Sequence, residues 1–368
     1  MNAFPPVEPI RYFVPGPAYV PEDARRAMGR EVVPHRSAAF REVYERLAGR
    51  LPGIFRTGGE VYLATASSTF VMEAAVVSLV ERDVLNLVHG SFSERWHEVC
   101  RLLGRAADRL EFPWGRAPDP DLVRRALARK RYEAVTVVHS ETSTGALAPL
   151  AEIARAVREE SDALVLVDAV SSLGGAPLET DAWGLDLVLA GSQKALAAPP
   201  GLALFTFSER AAARAAARPH RGFYTDLLRY RDQHRAGGPI TTPAVNVVWA
   251  LDRQVGRVAE EGIEARWERH ARAAVATRRW ADERGFANPV GAAERSPTLT
   301  CLTPPPGGPD APELVRRAAA RGFTVAGGYG RWKASTFRVG HMGEVRESDL
   351  GPLFAALDAS LAGAPEEG

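Results

Sequence analysis

AGSQKALAAPPG, residues 190–201, sets Lys194 among Ala, Leu, Pro and Gly, directly after the apolar run LDLVLAG (185–191). The chain has three lysines, Lys130, Lys194 and Lys333, against 43 arginines. Arginine stays charged at any accessible pH, whereas a desolvated lysine amine can lose its proton and attack a carbonyl. A lysine retained in such a setting reads either as a surface cation or as a nucleophile, and its surroundings decide between the two.

LDLVLAG is one of six short apolar runs. The others are EVYLATA (60–66), DVLNLVH (83–89), AVTVVHS (134–140), ALVLVDAV (163–170) and LALFTFS (202–208). Helical periodicity lies between several of them, as in SERWHEVCRLLGRA (93–106) and PLAEIARAVREES (149–161). Strands apolar on both faces that alternate with amphipathic helices predict an α/β fold with a mostly parallel sheet flanked by helices. After residue 250 the texture changes. One long helical segment over 250–285 precedes PTLTCLTP (297–304), a helix near 311–321 and STFRVGHMG (335–343), which predicts a smaller C-terminal α/β domain from 256.

Composition narrows the class. With 46% hydrophobic and 25% charged residues and a formal net charge of +1, the chain lacks the basic footprint of a nucleic-acid or membrane-surface protein. The arginine-rich stretches VRRALARKR (123–131) and ERAAARAAARPHR (209–221) read as solvated helix faces. Two cysteines, Cys100 and Cys301, make neither a disulfide framework nor a metal site. No signal peptide or membrane-spanning run is read, so the expected location is the cytoplasm.

In a doubly wound sheet, ligands sit at the carboxyl ends of the strands. Read to their ends, four runs deliver Ser67-Ser68-Thr69, Glu141-Thr142-Ser143-Thr144-Gly145, Asp168 and Ser192-Gln193-Lys194. A helix opening at Ser67 offers amides, hydroxyls and a dipole to a phosphate, or is a plain N-cap. Asp168 on an apolar strand is costly unless paired. It is a structural hydrogen-bond partner, or it holds a protonated pyridine ring.

Together HSETSTGALAPL (139–150), LVDAVSSLGG (166–175), DAWGLD (181–186) and GSQKALAAPPGLA (191–203) resemble the class V aminotransferases. FVPGPAYVP (13–21), HRS (35–37) and FRVGHMG (337–343) extend the likeness over nearly the whole chain. The resemblance implies the fold-type-I architecture of pyridoxal 5′-phosphate (PLP) transferases. It divides the chain into an N-terminal active-site segment (1–20), a large PLP-binding domain (21–255) and a small domain (256–368). Lys194 matches the Schiff-base lysine and Asp168 the partner of the ring nitrogen. Ser67, Ser68, Thr69 and Gln193 match the phosphate cradle and Thr142 a hydroxyl at the ring's polar edge, while Phe92 is either the stacking aromatic or a core-packing residue. Val170 falls in the cofactor's surroundings too. Arg338 matches the clamp on the substrate carboxylate, with Gly16, His35 and Arg36 on the substrate side. Thr241 matches a threonine that reaches the phosphate of a neighbouring subunit, so a homodimer with shared sites is implied, with no metal.

The chain departs from the family pattern in two places. Ser68 and Phe70 stand where glycines are usual, and Gly238 replaces a tyrosine whose contact Tyr230 or His234 would have to supply. The activity implied is transfer of an amino group from alanine or serine to glyoxylate or pyruvate. Alternatives are a phosphoserine:2-oxoglutarate aminotransferase using His35, Arg36 and Arg331, and a PLP-dependent lyase. Cys100 in a helix and Cys301 in a strand do not fit a desulfurase, and no G-x-G-x-x-G turn supports a dinucleotide enzyme.

Overall fold

The structure, a computed structural model, describes residues 10–362. The ends of the expected N-terminal segment and small domain, 1–9 and 363–368, lie outside the described residues. In chain order the strands are β1 (Tyr12–Phe13), β2 (Tyr62–Ala64), β3 (Asp83–Val88), β4 (Ala106–Glu111), β5 (Ala134–Val138), β6 (Ser140–Glu141), β7 (Ala146–Leu147), β8 (Leu164–Asp168), β9 (Leu187–Gly191), β10 (Ala203–Phe207), β11 (Leu299–Leu302), β12 (Thr324–Gly327) and β13 (Phe337–Gly340). All six apolar runs form strands of one seven-stranded sheet, ordered β2-β10-β9-β8-β5-β3-β4. Its pairs are parallel except that β10 runs against both β2 and β9. The architecture is the expected α/β one.

Side chains alternate across this sheet. Leu85, Val135, Val137, Val165, Val167 and Val188 face one core with helices Ala38–Phe55, Leu150–Glu160 and Val245–Glu261. Val84, Ala134, Leu164, Leu166, Leu187 and Leu189 face the other, with helices Ser68–Leu79, Ser91–Leu102 and Glu209–Ala216. Every residue of β5, β8, β9 and β10 is buried. Strand β4, AADRLE, is missing from the sequence reading because it is the sheet edge and its charged residues break the apolar pattern.

Two expectations need correction. The helical segment over 250–285 is two helices, Val245–Glu261 and Ile263–Glu283, because Gly262 takes φ 82°, a conformation that ends one helix and re-aims the next. The helix read at 93–106 runs from Ser91 to Leu102, since Gly104 at φ 73° turns the chain into β4.

A second sheet, β1-β12-β13-β11, packs against helices Ile263–Glu283, Ala311–Ala320 and Glu347–Ala362. Phe13 sits in that core, so the N-terminal strand joins the C-terminal layer. No helix among the described residues is long and apolar enough to cross a membrane.

After β1 the chain crosses β13 so closely that a Cβ on Gly340 would stand 2.6 Å from the Pro15 nitrogen. A Gly340→Ala variant is therefore predicted to displace the Val14–Pro15 backbone and lose about 1–3 kcal/mol of stability, read by denaturant unfolding.

Candidate active site

The carboxyl ends of β2, β5, β8 and β9 open on one cavity of about 260 Å³. Lys194 lies in its wall, in the segment that joins β9 to β10. This segment is a tight backbone structure: Ser192 N donates to Leu202 O (3.0 Å), Ala198 N to Ser192 O (3.0 Å) and Ala197 N to Lys194 O (2.9 Å). Ala197 takes φ 54° within it. The N-terminal strand's continuation closes over the amine, because Lys194 Nζ donates to the Pro15 carbonyl. At Gly16, φ is 107° and a Cβ would stand 2.7 Å from Lys194 Cε, so only glycine fits.

Asp168 ends β8 in the same cavity and is 4% exposed. Burial pushes its carboxyl up to about 7, although the Val170 amide donates to it at 2.8 Å and Lys194 draws it down. Burial takes the Lys194 amine the other way, down to about 8; the Asp168 charge resists this, and the Arg338 and Arg95 charges add to it.

Most of the sequence-predicted residues meet here. Ser67, Ser68 and Thr69 line the cavity at the start of helix Ser68–Leu79. Ser67 occupies the N-cap position without a side-chain capping bond, which removes the plain-cap reading of its hydroxyl. Ser68 Oγ instead donates to Ala190 O (2.9 Å) and ties the helix to β9. The Phe70 amide donates to Ser67 O (3.0 Å), while the Ser68 and Thr69 amides at the helix start have no intrahelical acceptor. Gln193 and Val170 line the same wall. Thr142 does too, its hydroxyl 2.6 Å from Ser171 Oγ. The Phe92 ring stacks on Tyr329 at 5.6 Å.

Arg338 stands behind Thr142. It donates to Thr142 O (3.0 Å) and twice to Gly327 O (3.0 and 2.8 Å), which fixes its fork and leaves two of its five N–H groups.

Two residues were missed. Glu141 is fully buried and accepts from the Phe92 (3.1 Å) and Ser93 (3.0 Å) amides and from Ser143 Oγ (2.6 Å). It thereby caps the helix that carries Phe92. In sequence it was only the first letter of ETSTG. Arg95 lines the cavity one turn beyond Phe92, 4.8 Å over that ring, and resembles any solvated arginine in the sequence.

Other expected residues lie elsewhere. Thr241, His35 and Arg36 line a separate cavity of about 430 Å³ with Arg41. Arg331 pairs with Glu111 at 3.2 Å. Tyr230 is buried against Phe205, and His234 Nδ1 is 3.1 Å from Tyr44 OH, so both suggested replacements for the tyrosine absent at Gly238 are committed to their own chain's packing. Cys100 and Cys301 are buried, and burial pushes each thiol up to about 11, which leaves neither as a nucleophile.

Comparison with known proteins agrees with this geometry. The Aminotransferase class-V family model matches residues 65–302. An uncharacterised aminotransferase of Methanocaldococcus jannaschii is 37% identical over 95% of this chain and 91% of its own. The serine–glyoxylate aminotransferase of Methylorubrum extorquens is 32% identical over 95% and 90%. The crystal structure of an alanine–glyoxylate aminotransferase from Nostoc sp. superposes with a TM-score of 0.90 at 30% identity, covering 98% of this chain and 97% of that one.

The carboxylate of Asp168 holds a proton on the Lys194 amine, so its removal must lower the amine further. In an Asp168→Asn variant the pH midpoint for trapping an aldehyde on Lys194 is predicted to move from about 8 to roughly one pH unit lower, read by mass spectrometry after reduction.

Proposed function

The chain belongs to the class V aminotransferase family, and on that premise we propose that it transfers the amino group of alanine or serine to glyoxylate or pyruvate with PLP as cofactor. One observation carries the reading: a lysine amine lowered to about 8 and an aspartic acid raised to about 7 share a cavity floored by a helix start.

The residues present fit that cofactor. Ser67 and Thr69 make no side-chain hydrogen bond among the described residues and, with the Ser68 and Thr69 amides and Gln193, would hold the phosphate. Asp168 would face the ring nitrogen, Thr142 the ring's polar edge, and Phe92 and Val170 its faces. When bound, the cofactor supplies an aldehyde for the amine and an electron sink for charge developing at the substrate Cα. The protein supplies the rest. Lys194 Nζ takes the Cα proton and later returns a proton, as base and then acid. Arg338, aimed by two carbonyls, binds the substrate carboxylate with its remaining N–H groups. The Val14–Gly16 segment covers the amine, with the Pro15 carbonyl on Nζ and Gly16 against the side chain.

Thr241, His35 and Arg36 lie together, away from Lys194, in a polar cavity. This supports a homodimer in which they complete the partner's site, within the three-part division at 20 and 255. Both cysteines are free thiols, in keeping with a cytoplasmic enzyme of amino acid metabolism.

Protein loaded with PLP is predicted to turn yellow, and borohydride should place the cofactor's mass on Lys194 alone. Alanine or serine should bleach the colour and phosphoserine should not. Lys194→Arg should lower turnover at least about 10³-fold with the fold intact. Colour without label at Lys194, or retained transamination in that variant, would overturn the reading.

A further inference from the structure

The turn that carries Lys194 is gripped from outside the cavity. Arg266, on helix Ile263–Glu283, is fully buried and donates through Nη2 to Ala195 O (2.7 Å), the carbonyl of the residue after Lys194. A buried guanidinium is tolerated only when paired. Arg266 has two partners: Nη2 also meets Glu344 Oε1 (2.9 Å), and Nη1 meets Glu261 Oε2 (2.7 Å). Arg269 completes the cluster, bonding Glu261 (2.9 Å), Gly343 O (3.0 Å) and Val345 O (2.8 Å). Burial alone would raise the Glu261 carboxyl, but the hydrogen bonds and charges of Arg269 and Arg266 outweigh it and hold the group down at about 2.

The same cluster fixes the end of β13. Gly343 N donates to His270 Nε2 (3.1 Å) while His270 Nδ1 meets Arg266 O (2.7 Å), so the ring is neutral with its proton on Nδ1. Burial holds that imidazole well below its usual range. Gly343, at φ 78°, lets this turn rest on the Lys194 turn, since a Cβ there would stand 3.1 Å from Ala197 Cβ. Chain and contacts therefore run from Arg338 on β13, through Gly343 and Glu344, to Arg266, Ala195 and Lys194.

We propose that Arg266 is a positioning residue for Lys194, linking the strand that bears the Arg338 clamp to the turn that bears the amine. The proposal rests on Lys194 being the working amine. The guanidinium sets where the Ala195 carbonyl sits, and the Lys194 side chain is aimed from the adjacent peptide. Loss of that grip admits water to the amine and lets it drift from its partner Pro15 O.

The test uses full-length protein with Arg266→Met, Arg266→Lys and Glu344→Gln. The first readout is the pH dependence of trapping PLP on Lys194 with cyanoborohydride, measured as intact mass. In Arg266→Met the midpoint should rise from about 8 by at least about one pH unit, because desolvation, the largest cause of the depression, is relieved. The second is a kcat loss of about 10–100-fold with donor KM changed less than about threefold, as expected for misplacement of a reacting group. Arg266→Lys should recover part of both. Parent-like midpoint and kcat in a folded Arg266→Met protein would overturn the proposal, as would a kcat loss that only tracks the unfolded fraction. If that variant does not fold, Glu344→Gln, which leaves Arg266 paired to Glu261, decides by the same midpoint: a rise supports the link and an unchanged value sinks it. Failure of the parent itself to take PLP at Lys194 is a different result and strikes the function, not the link.

Discussion

Lys194 and Asp168 share one desolvated cavity, and withdrawal from water moves each towards its neutral form. The amine falls to about 8 and the carboxyl rises to about 7, while their mutual attraction resists both changes. The magnitude matters. An ordinary lysine has about one neutral amine in three thousand at pH 7, whereas one at about 8 has roughly one in ten. Arg338 and Arg95 push in the same direction as burial. Arginine in this place would stay charged under all these influences, so of the two basic side chains only lysine gives this cavity a partly neutral amine.

A cavity that draws an amine and a carboxyl out of bulk water needs walls brought together from distant parts of the chain. The parallel strands put Thr142 and Asp168 at one end of the sheet, and β10, running the other way, returns the chain so that Lys194 hangs on a short link between β9 and β10. The roof is the Val14–Gly16 segment. It passes against Gly340 of the second sheet before reaching the amine, so packing in the C-terminal layer positions the cover over Lys194. The Arg266 cluster also ties these two layers, through Ala195 O and Glu344.

The site was largely legible before the fold because strand ends in α/β sheets present short polar strings at fixed positions. Ser67-Ser68-Thr69, Thr142, Asp168 and Gln193-Lys194 were read in that way, and all line one cavity. Glu141, Arg95 and Arg266 were not. The capping bonds of Glu141 come from residues some fifty positions away, as with its contact to Phe92 (separation 49), and Arg266 meets Ala195 across a separation of 71. No local pattern encodes such pairs. The single long helix expected after residue 250 failed for a related reason: periodicity continues through Gly262, and only the backbone shows the turn.

Hydrophobic period and residue chemistry by themselves determined the α/β class, the order of the strands' polar ends and the lysine that stands apart from the arginines. These depend on neighbours within a few residues, where side-chain alternation and turn chemistry act. Tertiary structure alone decided which groups are buried, which carbonyls aim Arg338 and Arg266, and that Tyr230 and His234 are spent inside their own chain. Solvation and long-range pairing depend on distance in space, and a linear string carries that information only through the fold it forms.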